Sequence, residues 1–428
     1  MEYREVVTSF LQQGPLILLV RRSNQVGTYP GKWAAVSGFL EENENPIERA
    51  KTEIFEEVGL TSADIRLVRT GEPLQVYDSE NDTVWIVNPL LFNARQYIPR
   101  IEMGTSQHKW VDPDELANYE TVPRLRQTFD RVRWDLSTVP TNLSKAIEIV
   151  DEIARDRTNG ASYLGRKSIE AIEVAVHLSA AESKNDLFRD ILTIATRMRT
   201  IQPSMASIRN TVGRLLHEID PKRQSSKSIT EFRKAVEQSA REILADSEKA
   251  AELVSRNLSN ILIRKKCILT HSYSSTVKRA LQLCVNSDLQ VYVTESRPTF
   301  EGRILAHDLT EFGLPTKVLP DTIIHGFPIE FDAAVVGADS VLADGSVVNK
   351  VGTKDIARTA QKSMIPVLVA AERSKLDLMQ FLGQPLQIDG TFDLTPSGCI
   401  SSIIIEQGEM KPSDVWHQTK NLVRELYT

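Results

Sequence analysis

Residues 38–60 carry a spacing that few folds accommodate: Gly38, then Glu44, then Glu53, Glu56 and Glu57, closed by Gly59 and Leu60. Pro46 suits a first helical turn, and Ile47, Ala50, Ile54 and Val58 recur at the interval of an amphipathic helix that Gly59 would cap. Glu53 stands three residues before Glu56 and four before Glu57, so their carboxylates project to neighbouring positions on one face, opposite the apolar stripe. Acids this close repel one another. Hard oxygen ligands of this kind suit magnesium, with manganese as the alternative, bound through a few carboxylates plus substrate phosphates. A solvated Glu-rich surface is the ordinary fate of a charge run, but solvation does not require Gly38, Glu44 and the Gly59-Leu60 terminator at fixed distances.

This segment resembles the Nudix box, Gly-x5-Glu-x7-Arg-Glu-U-x-Glu-Glu-x-Gly-U with U aliphatic, at every defining position except one: Thr52 stands where the family has arginine. The family's arginine helps orient the catalytic carboxylates. Arg49, one turn before Glu53, is placed to supply the lost cation through an i,i+4 pair. The surroundings agree with the resemblance: residues 6–11 and 16–20 read as a hairpin across Gln12, Gln13, Gly14 and Pro15, Trp33 leads toward Gly38, and residues 110–116 resemble a closing strand and helix. The resemblance covers residues 1–135 and implies a Nudix α/β/α sandwich. It implies magnesium held by Gly38, Glu53, Glu56 and Glu57, catalysis by the three glutamates, and a nucleotide-diphosphate substrate, ADP-ribose or a related nucleotide sugar being favoured. Arg21 and Arg22 end a strand near the expected cleft and, with Trp33, are the candidate substrate contacts, although arginines at strand ends are commonly just solvated. Glu102 is a candidate additional acid, and Pro73 and Tyr77 fall where Nudix subfamilies carry substrate markers without deciding between substrates.

A chain of 428 residues exceeds one ordinary core and suggests about two or three domains. Hydrophobic residues at 41% and charged residues at 25% are those of a soluble globular protein. Lys+Arg 51 against Asp+Glu 57 gives a net charge of -6, which disfavours nucleic acid or an anionic membrane as partner while leaving local patches open. Cys267, Cys284 and Cys399 are widely spaced and fit a reducing cytoplasm, as small buried apolar residues, better than a disulfide framework. The polar start Met1-Glu2-Tyr3-Arg4 lacks a signal-peptide apolar core, and no apolar run approaches a membrane span, so a cytoplasmic location is expected.

After a turn-rich linker at residues 137–142 the pattern changes. Apolar residues such as Ile147, Val150, Ile153 and Ala154 recur at helical spacing, with breaks at Asn159-Gly160, Gln202-Pro203 and Asp220-Pro221, which predicts a helical subdomain over residues 140–262. Over residues 263–428 short apolar runs at 267–270, 291–294, 333–337 and 366–370 alternate with helical stretches at 274–284, 302–312 and 354–363, the pattern of a parallel, doubly wound sheet. Ser272, Glu295 and Asp339 follow strand runs, where open α/β sheets place ligands. The helix starts at Ser274-Ser275-Thr276 and Gly352-Thr353 suit a phosphate, or simply cap their helices.

Six ordered motifs in this part, among them those around Ser272, Arg297, Asp339 and Asn349-Lys350, resemble a superfamily that joins the alpha, beta and delta subunits of translation initiation factor 2B to ribose-1,5-bisphosphate isomerase and methylthioribose-1-phosphate isomerase. Gly160-Ala161 and Pro203 to Ala206 extend the match into the helical part. The resemblance implies a Rossmann-like domain, a homodimer or higher homo-oligomer, and a site for a sugar phosphate or AMP formed by Gly160, Ala161, Gln202, Ser272, Arg297, Asp339, Asn349 and Lys350. In the isomerases a cysteine and an aspartate work on an aldose 1-phosphate. Here Asp339, Asn349 and Lys350 match, but Ser272 occupies the cysteine's place, and Asn159 and Gln202 replace phosphate-binding arginines. A hydroxyl is a far poorer acid or base near neutrality than a thiol, which argues against isomerase chemistry. The leading expectation is a magnesium-dependent Nudix hydrolase with a ligand-binding second module. A non-catalytic regulatory or assembly protein is the alternative, and a bifunctional hydrolase and isomerase the third reading.

Overall fold

The computed structural model describes residues 2–13, 16–23, 28–41, 44–78, 83–94, 107–133, 139–326, 329–381 and 386–427. The chain divides into two compact units, one built mainly on residues 1–137 and the other mainly on residues 138–422.

In the first unit, strands β1 (Glu2–Gln13), β2 (Leu16–Arg21), β3 (Trp33–Ala34), β4 (Val36–Phe39), β5 (Ile65–Thr70), β6 (Leu74–Asp78), β7 (Thr83–Ala94) and β8 (His108–Val111) form one mixed sheet. β1 is central: it runs parallel to β7 and antiparallel to β2 and β4, and the hairpin pairs Gln12 with Ile17 and Gln13 with Leu16. Strand β1 buries Val7, Thr8, Ser9, Phe10 and Leu11 in succession, as a strand covered on both faces must. Helix α1 (Pro46–Val58) packs against β1 and β4, and helix α2 (Leu125–Asp130) sends Phe129 against Phe10, ring centres 5.0 Å apart. Glu102 lies outside the described residues.

The second unit begins with five helices, α3 (Ser144–Arg155), α4 (Ala161–Leu178), α5 (Lys184–Ile201), α6 (Ala206–Ser225) and α7 (Ile229–Leu262). Breaks fall at Asn159-Gly160 and Gln202-Pro203 as expected, but not at Asp220-Pro221, because α6 runs through Pro221 to Ser225. Proline there removes one backbone donor. The turn holds because Ile219 and Asp220 are buried, Arg223 binds Asp220 at 2.7 Å and Lys222 reaches the Ser239 hydroxyl at 2.7 Å.

Strands β9 (Cys267–Thr270), β10 (Gln290–Thr294), β11 (Thr316–Leu319) and β12 (Ala333–Gly337) follow, with helices α8 (Ser275–Gln282) and α9 (Glu301–Glu311) between the earlier ones. Two short strands, β13 (Ser340–Val341) and β14 (Val347–Lys350), lead to helix α10 (Thr353–Lys362), β15 (Val367–Ala370), α11 (Leu378–Phe381), β16 (Phe392–Thr395), β17 (Ser402–Ile405), β18 (Gly408–Met410) and α12 (Val415–Tyr427). The main sheet has the order β11-β10-β9-β12-β15-β17-β18, parallel except for β18. The predicted doubly wound sheet is therefore present, and its order reverses between β9 and β12. A separate antiparallel sheet, β13-β14-β16, was not foreseen. Of the cysteines, Cys284 is buried, with its thiol pushed up to about 11 by burial, while Cys267 and Cys399 are half-buried, and all three are free.

Candidate functional site

Local signals position α1. The Asn45 side chain accepts from the amides of Ile47 at 2.9 Å and Glu48 at 3.4 Å, Pro46 opens the helix, and Gly59 at φ 71° donates to the Phe55 carbonyl at 2.9 Å. Glu44 accepts from the Glu41 amide at 3.1 Å and so shapes the turn that enters α1. With Ala50, Ile54 and Val58 packed inward, Glu53 also turns in and is 7% exposed, whereas Glu56 stays exposed. The carboxyl group of Glu53 fills the space that a side chain at residue 38 would need, which is the physical reason for glycine there.

Burial raises the Glu53 carboxyl, Arg49 opposes the rise and Glu56 adds to it; Arg49 forms an ion pair with Glu53 one turn along. Burial and the nearby Glu53 charge push Glu57 up to about 7 against the pull of the Ser37 amide and Arg22. Two crowded carboxylates whose pKa values are both raised mark a local field that a divalent cation relieves, so the donor chemistry fits magnesium or manganese. As the side chains stand, no three His, Cys, Asp or Glu groups converge on one point among the described residues. Opening the Arg49–Glu53 pair would release Glu53 for such a role.

Arg22, Thr28, Ser37 and Gly38 are among the residues that line a cleft of about 760 Å³, its open mouth included. Arg22 donates to the Thr28 carbonyl at 2.9 Å and hydroxyl at 2.8 Å; burial lowers its pKa and Glu57 opposes that fall. Arg21 instead points to the surface, donating to the Gly31 carbonyl at 3.0 Å and to Gln107 at 3.2 Å. Trp33 packs edge-on to Tyr119, ring centres 6.0 Å apart, in the cluster with Leu116 and Leu125. Of the three expected substrate contacts, only Arg22 lines the cleft. Neither Pro73 nor Tyr77 lines it.

In the second unit, Ser272 follows β9 and Asp339 follows β12, the two strands flanking the order reversal. Ser272, at φ 63° and buried, donates its hydroxyl to Glu301 at 2.6 Å. The other Glu301 oxygen receives Lys350 at 2.7 Å and the Thr299 hydroxyl at 2.9 Å. Burial raises the Glu301 carboxyl, but Lys350 and Ser272 outweigh it and leave it below the usual range. Asp339 accepts from the Ala161 amide at 3.3 Å, at the start of α4 where Gly160 is the cap; burial raises its carboxyl against the fields of Lys375 and Lys350.

Asn349 donates to the Thr353 hydroxyl at 3.0 Å. Gly160, Ala161, Ser272, Asp339, Asn349 and Lys350 thus belong to connected parts of one region. Gln202 and Arg297 do not join them. The Gln202 amide caps the end of α3, donating to the carbonyls of Ile153 at 3.0 Å and Asp156 at 2.9 Å, while Arg297 stacks over Phe300 at 5.2 Å and pairs with Glu295 at 3.2 Å on the surface. Asn159 likewise bonds Asp156 at 2.7 Å.

Sequence reasoning missed Glu301, Glu372 and Lys375 as members of this region. Glu372 is buried, receives Ser162 at 2.9 Å, Thr276 at 2.7 Å and Lys375 at 3.0 Å, and is held down to about 2 because these partners outweigh its burial. Its position just beyond the apolar run 366–370 was the available signal.

A carboxylate-bearing helix beside an arginine-lined cleft, joined in one chain to a doubly wound sheet with a polar region at its switch point, defines a two-module α/β protein. Residues 3–132 match the NUDIX domain and residues 157–389 the Initiation factor 2 subunit family. The chain belongs to the Initiation factor 2 subunit family and carries an N-terminal NUDIX domain. A ribose 1,5-bisphosphate isomerase of Pyrococcus furiosus is 26% identical over 294 residues, covering 63% of this chain and 91% of the relative. A translation initiation factor eIF-2B subunit 2-like protein of the same organism is 31% identical over 282 residues, covering 63% and 97%. Among solved structures, the translation initiation factor eIF-2B of Pyrococcus horikoshii OT3 is similar with a TM-score of 0.52 at 29% identity, covering 63% of this chain and 97% of that one. No helix among the described residues is long and apolar enough to cross a membrane.

Proposed function

We propose that the first unit is a magnesium-dependent pyrophosphohydrolase of a nucleoside diphosphate linked to another moiety, ADP-ribose or a related nucleotide sugar being the favoured substrate. The observation that carries this reading is the buried Glu53 packed against Gly38 with the half-buried Glu57 one turn along the helix, and Arg22 lining the cleft that Gly38 also lines. Gly38, Glu53, Glu56 and Glu57 would hold the metal, which supplies charge neutralisation on the diphosphate and a more acidic water. Arg22 would hold phosphate oxygens, and a carboxylate of this cluster would accept the proton from the attacking water. The second unit binds a sugar phosphate or AMP without isomerising it: the Ser272 hydroxyl is committed to Glu301, and Gln202 to the end of α3. Because the related eIF-2B proteins are named as subunits, a homodimer or higher oligomer of this chain is part of the proposal.

A screen of nucleoside diphosphate derivatives with and without magnesium, read by mass spectrometry, tests the reading. Release of two monophosphates by the parent and none by the Glu56→Gln, Glu57→Gln double variant is expected; equal release by both excludes this site. A second reading, a regulatory protein that binds such nucleotides without cleaving them, draws on the Arg49–Glu53 pair and on Thr52, whose hydroxyl bonds its own helix at Glu48. Magnesium-independent binding with the nucleotide left whole would favour it.

A further inference from the structure

His271 follows β9 directly, stands one residue before Ser272 and is 3% exposed. Both ring nitrogens are engaged. Nδ1 lies 2.6 Å from the Thr294 hydroxyl and 3.3 Å from the Ser296 hydroxyl, and Nε2 lies 2.9 Å from the Val351 carbonyl. A carbonyl only accepts, so Nε2 carries the proton and Nδ1 accepts from Thr294. That is the neutral ring, the form that burial favours. The imidazole reaches Val351 because residue 352 has no side chain: a Cβ on Gly352, which sits at φ 104°, would lie 2.9 Å from Cε1 and 3.0 Å from Nε2. The bond joins two backbone segments that carry the ligand region, since Ser272 follows His271 and Lys350 precedes Val351. Their side chains already meet at Glu301, Ser272 at 2.6 Å and Lys350 at 2.7 Å. The Ser272 amide donates to the Ser296 hydroxyl at 2.7 Å, the same hydroxyl that faces Nδ1. From the other side, Val351 donates to the Thr391 carbonyl at 3.0 Å, and the Asp393 carboxylate accepts from Gly352 at 2.7 Å and Lys354 at 3.1 Å. Those bonds use the amides of the turn, and His271 takes its carbonyl.

We propose that His271 is a positioning residue that fixes Lys350 relative to Ser272 and so sets the affinity of the second unit for a phosphorylated ligand; the inference rests on the reading that this unit binds a sugar phosphate or AMP, and deepens it. An ammonium has three donors and Lys350 spends one on Glu301, so a phosphate oxygen can take another while the backbone beneath stays in place. A lysine stem is flexible, and the geometry of its ammonium is only as fixed as the segment that carries it. Val351 is 37% exposed, so water can take its carbonyl when the imidazole is lost. The fold then loses little, while Lys350 loses its anchor on the β9 side.

The test compares the full-length parent with three variants: His271→Leu, which fills the space without a donor; His271→Gln, whose amide nitrogen reaches where Nε2 stands; and Thr294→Val, which keeps the imidazole and removes the hydroxyl that orients it. Ribose 5-phosphate and AMP are titrated by calorimetry. His271→Leu should weaken ribose 5-phosphate binding by about tenfold, the worth of one hydrogen bond to a charged group, and His271→Gln should recover most of that loss. Thr294→Val should cost about twofold to fivefold, which keeps the proposal testable if the leucine variant misfolds. Hydrogen–deuterium exchange on peptides spanning residues 347–354 needs no ligand. It should quicken in His271→Leu and return to the parental rate in His271→Gln, while peptides from α4 and α7 stay unchanged. Parental affinity in His271→Leu overturns the positioning role, as does an equal loss in the leucine and glutamine variants. When the parent binds neither probe, the ligand reading fails and exchange decides for His271: quickening confined to residues 347–354 supports its hold on the turn, and unchanged exchange there overturns it.

Discussion

Replacing Arg49 by Met removes the cation that faces Glu53 while keeping much of the apolar stem. The Glu53 side chain is 9% exposed and that of Arg49 28%. A solvated i,i+4 pair contributes about 0.3–0.5 kcal/mol, and breaking a buried pair costs about 3–5 kcal/mol, so this intermediate pair places the loss at about 1–2 kcal/mol. The sign depends on pH. Burial already raises Glu53 and Arg49 opposes the rise, so without Arg49 the folded carboxyl binds its proton more tightly than the unfolded one. The penalty is then small in acid, where Glu53 is protonated, and grows as rising pH forces a charge into the unpaired site.

Urea unfolding in EDTA at pH 5 and pH 8 measures this without any metal. The Met variant should lose more stability at pH 8, and Arg49→Lys should recover part of it. Because Arg49 also holds Glu53 in the orientation from which it would pass to the metal, turnover should fall by about tenfold to a hundredfold in the Met variant. Equal destabilisation at both pH values, together with parental turnover, would refute the idea that Arg49 replaces the cation absent at Thr52.

Gly38→Ala places a methyl group where the Glu53 carboxyl lies, and the resulting displacement should reduce turnover by about a hundredfold, checked by steady-state kinetics beside a circular dichroism melt. Glu372, held at about 2, contributes stability that is present above its unfolded pKa and lost as pH falls from about 4.5 through about 2, a change of about 3 kcal/mol. Lys375→Met should cost about 3–5 kcal/mol at neutral pH and flatten that acid limb in a urea series. Ser272→Cys should fail to convert ribose 1,5-bisphosphate, followed by phosphorus NMR, because Gln202 and Asn159 remain bound to the α3 end and to Asp156. Glu301→Gln, by stripping Lys350 of its counter-charge, should tighten ribose 5-phosphate binding in the second unit by several-fold in calorimetry.

Local signals made α1 legible from the chain: Asn45, Pro46 and Gly59 act at its ends within a few residues of where they stand. The runs that became β9, β12 and β15 were legible because strands covered on both faces are continuously apolar. What escaped was set by distance along the chain. Glu372 meets Ser162 across 210 residues and Thr276 across 96, and no periodicity in a single sequence encodes such a meeting. Gln202 reads as a ligand residue from the motif around it, yet its amide is taken by Ile153, 49 residues away. Arg21 and Arg22 are neighbours of identical chemistry, yet Arg21, the last residue of β2, bonds Gln107 while Arg22, just past the strand, lines the cleft. The sheet of β13, β14 and β16, which carries Asn349 and Lys350, has strands of two to four residues, too short for a period to register.

Three buried or nearly buried carboxylates in this chain meet the same constraint, that a charge removed from water must find a partner, and the partners differ in how readily they let go. Lys350 and Glu301 have side chains 12% and 7% exposed, and both Glu301 oxygens are engaged, by Ser272 on one side and by Lys350 with Thr299 on the other. Lys375 and Glu372 are 5% and 3% exposed, again with Ser162 and Thr276 as additional donors. Opening either pair strands a charge among groups already satisfied. Arg49, by contrast, is the most exposed of the three cations, and opening its pair with Glu53 costs less than opening either of the other two. A site that must exchange an arginine for a metal and then for a diphosphate needs a partner of that kind, whereas a site that holds a ligand in fixed geometry is served by the closed networks of the second unit. The proposed division between a hydrolytic first unit and a ligand-binding second unit thus draws on the exposure of the cations as well as on the motifs that contain them.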